Sequence, residues 1–162
     1  MYKKVLIISV VSFLLDQIAK IIIDVNLQFD DIIEVIKGFF YITRTSNIGA
    51  AFSILEGKRI LFLLISIATI IILIKYIKSF KNKMFNALAF GLMIGGILGN
   101  FYDRLFLGYV RDFIKLDIFG YNYPIFNIAD ACIVIGVILL CICIVRGDGS
   151  ENNSNRKRLK VR

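Results

Sequence analysis

The chain contains no histidine. That one absence removes Ser-His-Asp triads, Cys-His dyads and HExxH zinc sites, because each needs an imidazole as base or ligand. Cysteine is scarce as well, and Cys132, Cys141 and Cys143 all fall in a single apolar stretch. Their Cys-x-Cys spacing lacks metal-ligand geometry, so they read as small core hydrophobes, and neither a metal nor a cofactor is expected. No glycine-rich phosphate loop is present. Proline occurs once, at Pro124, where it ends a loop just before an apolar run. Polar residues are few. With 58% hydrophobic residues in a chain of 162, there is too little polar surface for a water-soluble domain, which places the chain in the membrane class.

Long apolar runs are what the chain does have. Four of them, at 5–23, 60–77, 84–102 and 125–145, approach the ~20 residues that cross a bilayer as a helix. Lys75 sits near the end of the second, where its aliphatic stem can follow the apolar surface and its ammonium can reach the interface. The start, MYKKVLIISVVSFLLDQIAK, has the basic-then-apolar order of a secretory signal. It runs into Asp16, Gln17 and Lys20 without a small-residue cleavage site, so it reads as a retained first span.

The formal charge of +8 is distributed by segment. Lys3 and Lys4 precede the first run, Lys75, Lys78, Lys81 and Lys83 crowd the link between the second and third, and Arg146 and RKRLKVR follow the fourth. Asp24, Asp30, Asp31, Glu34 and Glu56 belong to one long link, and Asp103, Asp112 and Asp117 to the other. The positive-inside bias then predicts cytoplasmic termini and a cytoplasmic lysine link, with the two mixed-charge links outside. Charge placed this way fits contact with anionic membrane lipid rather than a nucleic-acid partner.

The organisation expected is a four-span domain over 1–145 and a flexible basic cytoplasmic tail over 146–162, RGDGSENNSNRKRLKVR, which is polar and rich in Gly, Asn and Ser. No internal repeat is evident. The first outer link is too long for a plain connector. Its stretch DIIEVIKGFFYITRTSN is rich in β-branched and aromatic residues and predicts short strands, and AAFSILEGKR after it predicts a short interfacial helix. The second outer link carries Phe106, Tyr109, Phe113, Phe119, Tyr121 and Tyr123, a density that fits a segment lying at the membrane surface. The fold class is therefore an all-α membrane protein of four transmembrane helices, with a small extramembrane β-rich element in the first outer loop. Gly91, Gly95 and Gly99, with Gly96 alongside, give the third span a flat face for close helix packing.

Polar groups in or beside the spans are the informative ones, because lipid makes them costly. Asp16 and Lys20 share a helix face and can pair. Asn100 and Arg104 have the same spacing, with Asp103 beside them, at the outer end of the third span. Asp112 lies in the loop YVRDFI and Asp130 just inside the fourth span, at the same boundary. Two carboxylates brought together hold one proton between them, which supplies an acid and a base near neutral pH. The sequence alone leaves open whether the two meet, since Asp130 can equally bond Asn127 or backbone. A Ser53–Lys58 dyad is a further arrangement of common spacing.

Five short stretches then stand in order: DQIAK (16–20), NIGAAFS (47–53), GGILGNFYDR (95–104), VRDF (110–113) and FNIAD (126–130). Each is weak by itself; together, on a four-span chain, they are specific. Through them the chain resembles the bacterial lipoprotein signal peptidases, or type II signal peptidases, over nearly its whole length. The resemblance implies an aspartic endopeptidase of the bacterial cytoplasmic membrane with its active site near the outer face. Such an enzyme removes the signal peptide from a prolipoprotein, cutting before a cysteine that already carries diacylglycerol. It implies Asp112 and Asp130 as the catalytic pair, and Asn47, Gly49, Asn100, Arg104 and Asn127 as residues that bind substrate or support the pair. Asp16 and Lys20 become structural polar residues. The chain is read as a monomer whose partners are the lipid-modified substrate and membrane lipid. One departure stands out: the family usually has arginine directly before the asparagine of its NxGAAF motif, and here that residue is Ser46. Arg44, two residues earlier, is a candidate substitute.

Two other classes compete. A proton- or ion-coupled carrier places acids near the membrane midplane, often with repeat symmetry, whereas these acids gather at one boundary. A purely structural membrane subunit gives no reason for the cluster at all.

Overall fold

Each apolar run folds as a helix, since lipid offers no partner for unpaired backbone groups. The computed structural model describes residues 1–49 and 56–149. Residues 50–55, within the expected interfacial helix, and 150–162, most of the expected tail, lie outside the described residues. The spanning helices are α1 (Tyr2–Asn26), α2 (Arg59–Ile77), α3 (Met84–Phe106) and α4 (Ile128–Val145), and all four are long and apolar enough to cross a membrane. Helix α4 begins at Ile128 rather than at 125 because the chain ahead of it is held by a strand: Phe126 N donates to Ile114 O at 3.0 Å and Ile114 N to Phe126 O at 2.8 Å.

That strand belongs to an antiparallel sheet at the end of the bundle where α1 and α3 finish and α4 starts. Its members are β1 (Ile32–Ile36), β2 (Phe40–Asn47), β3 (Val110–Ile118) and β4 (Tyr121–Asn122), in the spatial order β1-β2-β3-β4. The link between α1 and α2 supplies the hairpin its composition predicts. The link between α3 and α4 does more than lie at a surface: its VRDFIKLDI forms β3, which pairs with β2. Phe113 is buried in the strand, while Phe119 and Tyr121 stay exposed where the chain turns back into β4.

Helix α3 is the central element, burying residues on every turn, while α2 buries only Leu73 and Ile77. Its glycines set the spacing. A Cβ at Gly95 would collide with the Ser12 hydroxyl and come within 2.5 Å of Ser9 O, both on α1. At Gly99 it would stand 2.6 Å from Asp16 Oδ2 and 3.1 Å from Ala129 Cβ, so Gly99 lets α1 and α4 meet across α3. The two serines cost little there, since Ser9 Oγ donates to Val5 O at 2.8 Å and Ser12 Oγ to Ile8 O at 2.9 Å.

At the opposite end of the bundle, the chain after α4 does not leave at once. Asp148 is buried and takes Lys83 Nζ at 2.6 Å, with Lys81 Nζ at 3.7 Å, and Gly149 bridges to Phe80. The described part of the expected tail is thus fastened to the link between α2 and α3.

Replacing Gly95 by leucine should force α1 away from α3 and cost about 1–3 kcal/mol or more of stability. The readout is the melting temperature in detergent, with Ile138→Ala on the exposed face of α4 as a control that shifts it far less. An unchanged melting temperature for Gly95→Leu overturns the close-packing role.

Candidate active site

The site forms where β2, β3 and the start of α4 lie side by side. The register pairs Asn47 with Val110, Ser46 with Arg111 and Thr45 with Asp112. Alternation along β3 sends Asp112 to one face and Arg111 to the other. Asn47, diagonal to Asp112 on its own face, donates from Nδ2 to Asp112 Oδ2 at 2.9 Å. From the other flank, Asn127 Nδ2 donates to Asp112 Oδ1 at 2.6 Å. Both carboxylate oxygens therefore have a neutral amide donor. Burial, and then the charge of nearby Asp130, push the Asp112 carboxyl up to about 7, and the two amides only partly oppose this.

Asp130 owes its position to helix chemistry. It is the third residue of α4 and forms a capping box with Asn127: Asp130 N donates to Asn127 Oδ1 at 2.9 Å, and Asn127 N donates to Asp130 Oδ2 at 3.2 Å. Its remaining oxygen, Oδ1, accepts from Asn100 Nδ2 at 2.7 Å. A carboxylate at the edge of an apolar helix is thus satisfied by a backbone N–H and a side-chain amide. The sequence left open whether Asp130 meets Asp112 or bonds Asn127 or backbone; it bonds the backbone N–H of Asn127, whose side chain in turn donates to Asp112.

Asn127 is fully buried and serves both acids. Besides Asp112, its Nδ2 lies 3.1 Å from Asn100 Oδ1 and 3.3 Å from Arg111 O. Two amide hydrogens are spread over three acceptors, of which Asp112 is the nearest. Asn100 passes the contact on, because its Oδ1 also accepts from Lys20 Nζ at 3.3 Å.

Beneath the two acids lies an ionic layer that only partly follows the sequence reading. Lys20 and Asp16 pair at 2.8 Å as expected, but Lys20 also meets Asp103 at 3.1 Å, and all three side chains are fully buried. The other oxygen of Asp16 accepts from Ala129 N at 2.9 Å, where the exposed N–H groups of α4 favour negative charge. Asp103 further takes Arg111 Nη2 at 2.6 Å, Arg111 Nε at 3.3 Å and Arg111 N at 3.1 Å. Arg111 also reaches Gln17 Oε1 at 2.8 Å and Asp24 Oδ2 at 2.9 Å. Gln17, Asp24 and Arg111 are the residues to which sequence reasoning gave no role, and Asp103 was noted only beside Asn100 and Arg104. A signal existed: Gln17 and Asp24 are two helical turns apart on one face, and Arg111 alternates with Asp112 in the strand.

Arg104 and Gly49 line the side nearer α2. Arg104 Nη2 donates to Gly49 O at 2.9 Å and its guanidinium lies 4.6 Å over the Phe62 ring, while Gly49 N donates to Asn47 Oδ1 at 2.9 Å. Arg44 does not turn toward the acids. Its Nε lies 3.0 Å from Asp24 Oδ1, an ion pair without hydrogen-bond alignment, its Nη1 donates to Leu27 O at 2.8 Å, and it stacks on Phe29. Ser53 lies outside the described residues, and Lys58 is exposed ahead of α2. Among the described residues no cluster of His, Cys, Asp and Glu is suited to hold a metal ion.

Comparison with known proteins agrees with this architecture. A family model described as signal peptidase (SPase) II matches residues 8–146. A lipoprotein signal peptidase of Staphylococcus haemolyticus is 42% identical over 147 residues, covering 90% of this chain and 93% of that protein. One from Staphylococcus aureus is 41% identical over 158 residues, covering 97% and 94%. A solved bacterial membrane enzyme superposes with a TM-score of 0.82 at 43% identity, covering 88% of this chain and 87% of the other. The matched residues 8–146 include all four helices in whole or in large part and the segments that carry the two acids, and the chain belongs to the signal peptidase II family, aspartic peptidases that remove signal peptides from prolipoproteins.

Proposed function

We propose that Asp112 and Asp130 are the catalytic dyad of this signal peptidase, and that its substrate is a prolipoprotein whose cysteine carries diacylglycerol, cut just before that cysteine. The observation that carries the assignment is Asn127, which donates to Asp112 through its side chain and to Asp130 through its backbone. Burial and the nearby Asp130 charge hold the Asp112 carboxyl at about 7, so near neutral pH the pair offers one acid and one base. The ionised partner takes a proton from water as it attacks the scissile carbonyl, and the protonated partner donates its own to the carbonyl oxygen. As the tetrahedral diol collapses, the first passes the water-derived proton to the leaving nitrogen and the second recovers its proton from the diol hydroxyl. Asn47, Gly49 and Arg104 form the edge on which a substrate backbone can be held, since Arg104 is a fixed cation with several donors. Asn100 and Asn127 keep the two carboxylates oriented.

The lysine-rich link and the basic tail support cytoplasmic termini in a bacterial cytoplasmic membrane, with the dyad near the outer face. The enzyme acts as a monomer with membrane lipid around it. Diacylglycerol on the substrate has a physical use there. A signal helix alone can slide along the membrane normal, whereas two acyl chains anchored at ~0.8 kcal/mol per buried methylene fix the depth of the next peptide bond.

Asp112→Asn and Asp130→Asn should each lower kcat about a hundredfold or more while leaving an inserted, folded protein. Substantial cleavage by either variant sinks the dyad. The rate should also fall as pH rises through about 7, because Asp112 then loses the shared proton and both acids ionise. A kcat/KM profile that stays flat well above that point contradicts the assignment. Finally, a prolipoprotein lacking diacylglycerol should be cut about tenfold more slowly or worse than the lipidated form. Equal kcat/KM for the two in one bilayer reopens the case for a general membrane peptidase.

A further inference from the structure

Ser46 leaves the NIGAAFS stretch without the arginine expected just before Asn47, and Arg44 spends its guanidinium on Asp24, Leu27 O and Phe29. The register answers the question of where the missing cation went. Ser46 is paired with Arg111 across β2 and β3. Residues directly opposite on antiparallel strands share a face, with Cβ atoms about 5 Å apart. A guanidinium rooted at 111 therefore works on the same face of the sheet as one rooted at 46. Asp24 marks that common ground: it receives Arg44 at 3.0 Å from β2 and Arg111 at 2.9 Å from β3.

Arg111 also does something for the dyad that a surface arginine does not. Its side chain holds Asp103 on α3 and Gln17 and Asp24 on α1. Its backbone N donates to Asp103 and its backbone O accepts from Asn127. The next residue in the strand is Asp112. The strand is thus fixed to two helices at the residue before the acid, and Asn127 is fixed to that same residue.

We propose that Arg111 is a positioning residue for cleavage: it supplies from β3 the cation that position 46 lacks on β2, and by gripping Asp103, Asp24 and Gln17 it sets the height at which Asp112 meets Asp130. The inference rests on the dyad reading and concerns how the dyad is held. A positioning role and a plain structural ion pair predict different kinetics. If Arg111 sets the geometry of the acids, its loss falls on kcat and leaves KM nearly unchanged, and a cation returned across the strand restores kcat. A purely structural ion pair predicts lost protein at unchanged turnover per folded molecule.

The experiment is a cross-strand exchange on the full chain in bilayer, with active molecules counted by folded fraction. Arg111→Met should lower kcat about ten- to a hundredfold with KM within about twofold, since misplacing a reacting group by about an ångström has that effect. Adding Ser46→Arg to Arg111→Met should raise kcat at least about fivefold, because the opposite residue reaches the same acids. Arg111→Lys covers the case in which the methionine variant does not fold. It keeps the charge but cannot fork to three acceptors, so it should melt near wild type with kcat reduced about three- to tenfold. Wild-type kcat in Arg111→Met or Arg111→Lys overturns the proposal, as does an exchange variant no faster than Arg111→Met alone. Asp112→Asn is assayed alongside: activity in that variant sinks the dyad itself, whereas an inactive Asp112→Asn with a failed exchange sinks only the role of Arg111.

Discussion

The carboxylate of Asp103, fully buried between Lys20 and Arg111, is the interaction on which the site depends. It is reached from α1 by Lys20 and Gln17 and from β3 by Arg111, and it belongs to α3. Two spanning helices and a strand are thereby fixed to one anion. The layer around it balances: Asp16, Asp24 and Asp103 face Lys20, Arg44 and Arg111. Balance matters in an apolar surrounding, where removing one partner of a buried pair costs about 3–5 kcal/mol because its mate is left uncompensated. With that layer neutral, Asp112 and Asp130 above it carry a single negative charge between them when they hold one proton, and the Arg104 guanidinium is the cation on their side of the layer.

The helices were legible in the sequence because lipid imposes a simple rule: about twenty apolar residues, with backbone groups satisfied within the segment. The glycine face of α3 was legible for a similar reason, since four-residue spacing on a helix has one geometric meaning. The strand β3 was not. VRDFIKLDI alternates cleanly only over IKLDI, and its pairing with β2 depends on two links separated by two spanning helices. No local periodicity reports such a contact.

The same limit explains which site residues could be read. Asp112, Asp130 and their asparagines stand in short stretches whose order along a four-span chain is informative. Arg111 and Asp24 acquire meaning only once a sheet register puts them on one face with Ser46 and Arg44. Asp103 was visible only as the neighbour of Asn100 and Arg104; that it and Asp16 are both fully buried, and so call for a second cation beside Lys20, emerges only from the packing.

Asp148 has a mechanical consequence. It pins the chain after α4 to Lys81 and Lys83, and the two residues that α2 buries, Leu73 and Ile77, lie toward the same end. At the other end, α2 is tied by thinner threads: Arg59 Nη2 to Leu105 O at 2.7 Å, and Phe62 beneath Arg104. Contacts of those kinds are each worth about 1 kcal/mol. The bundle is therefore built like a clothes-peg, with its spring at the Asp148 end and its jaws beside the two acids. Among the described residues, α2 is thus held more firmly at its Asp148 end than beside the two acids.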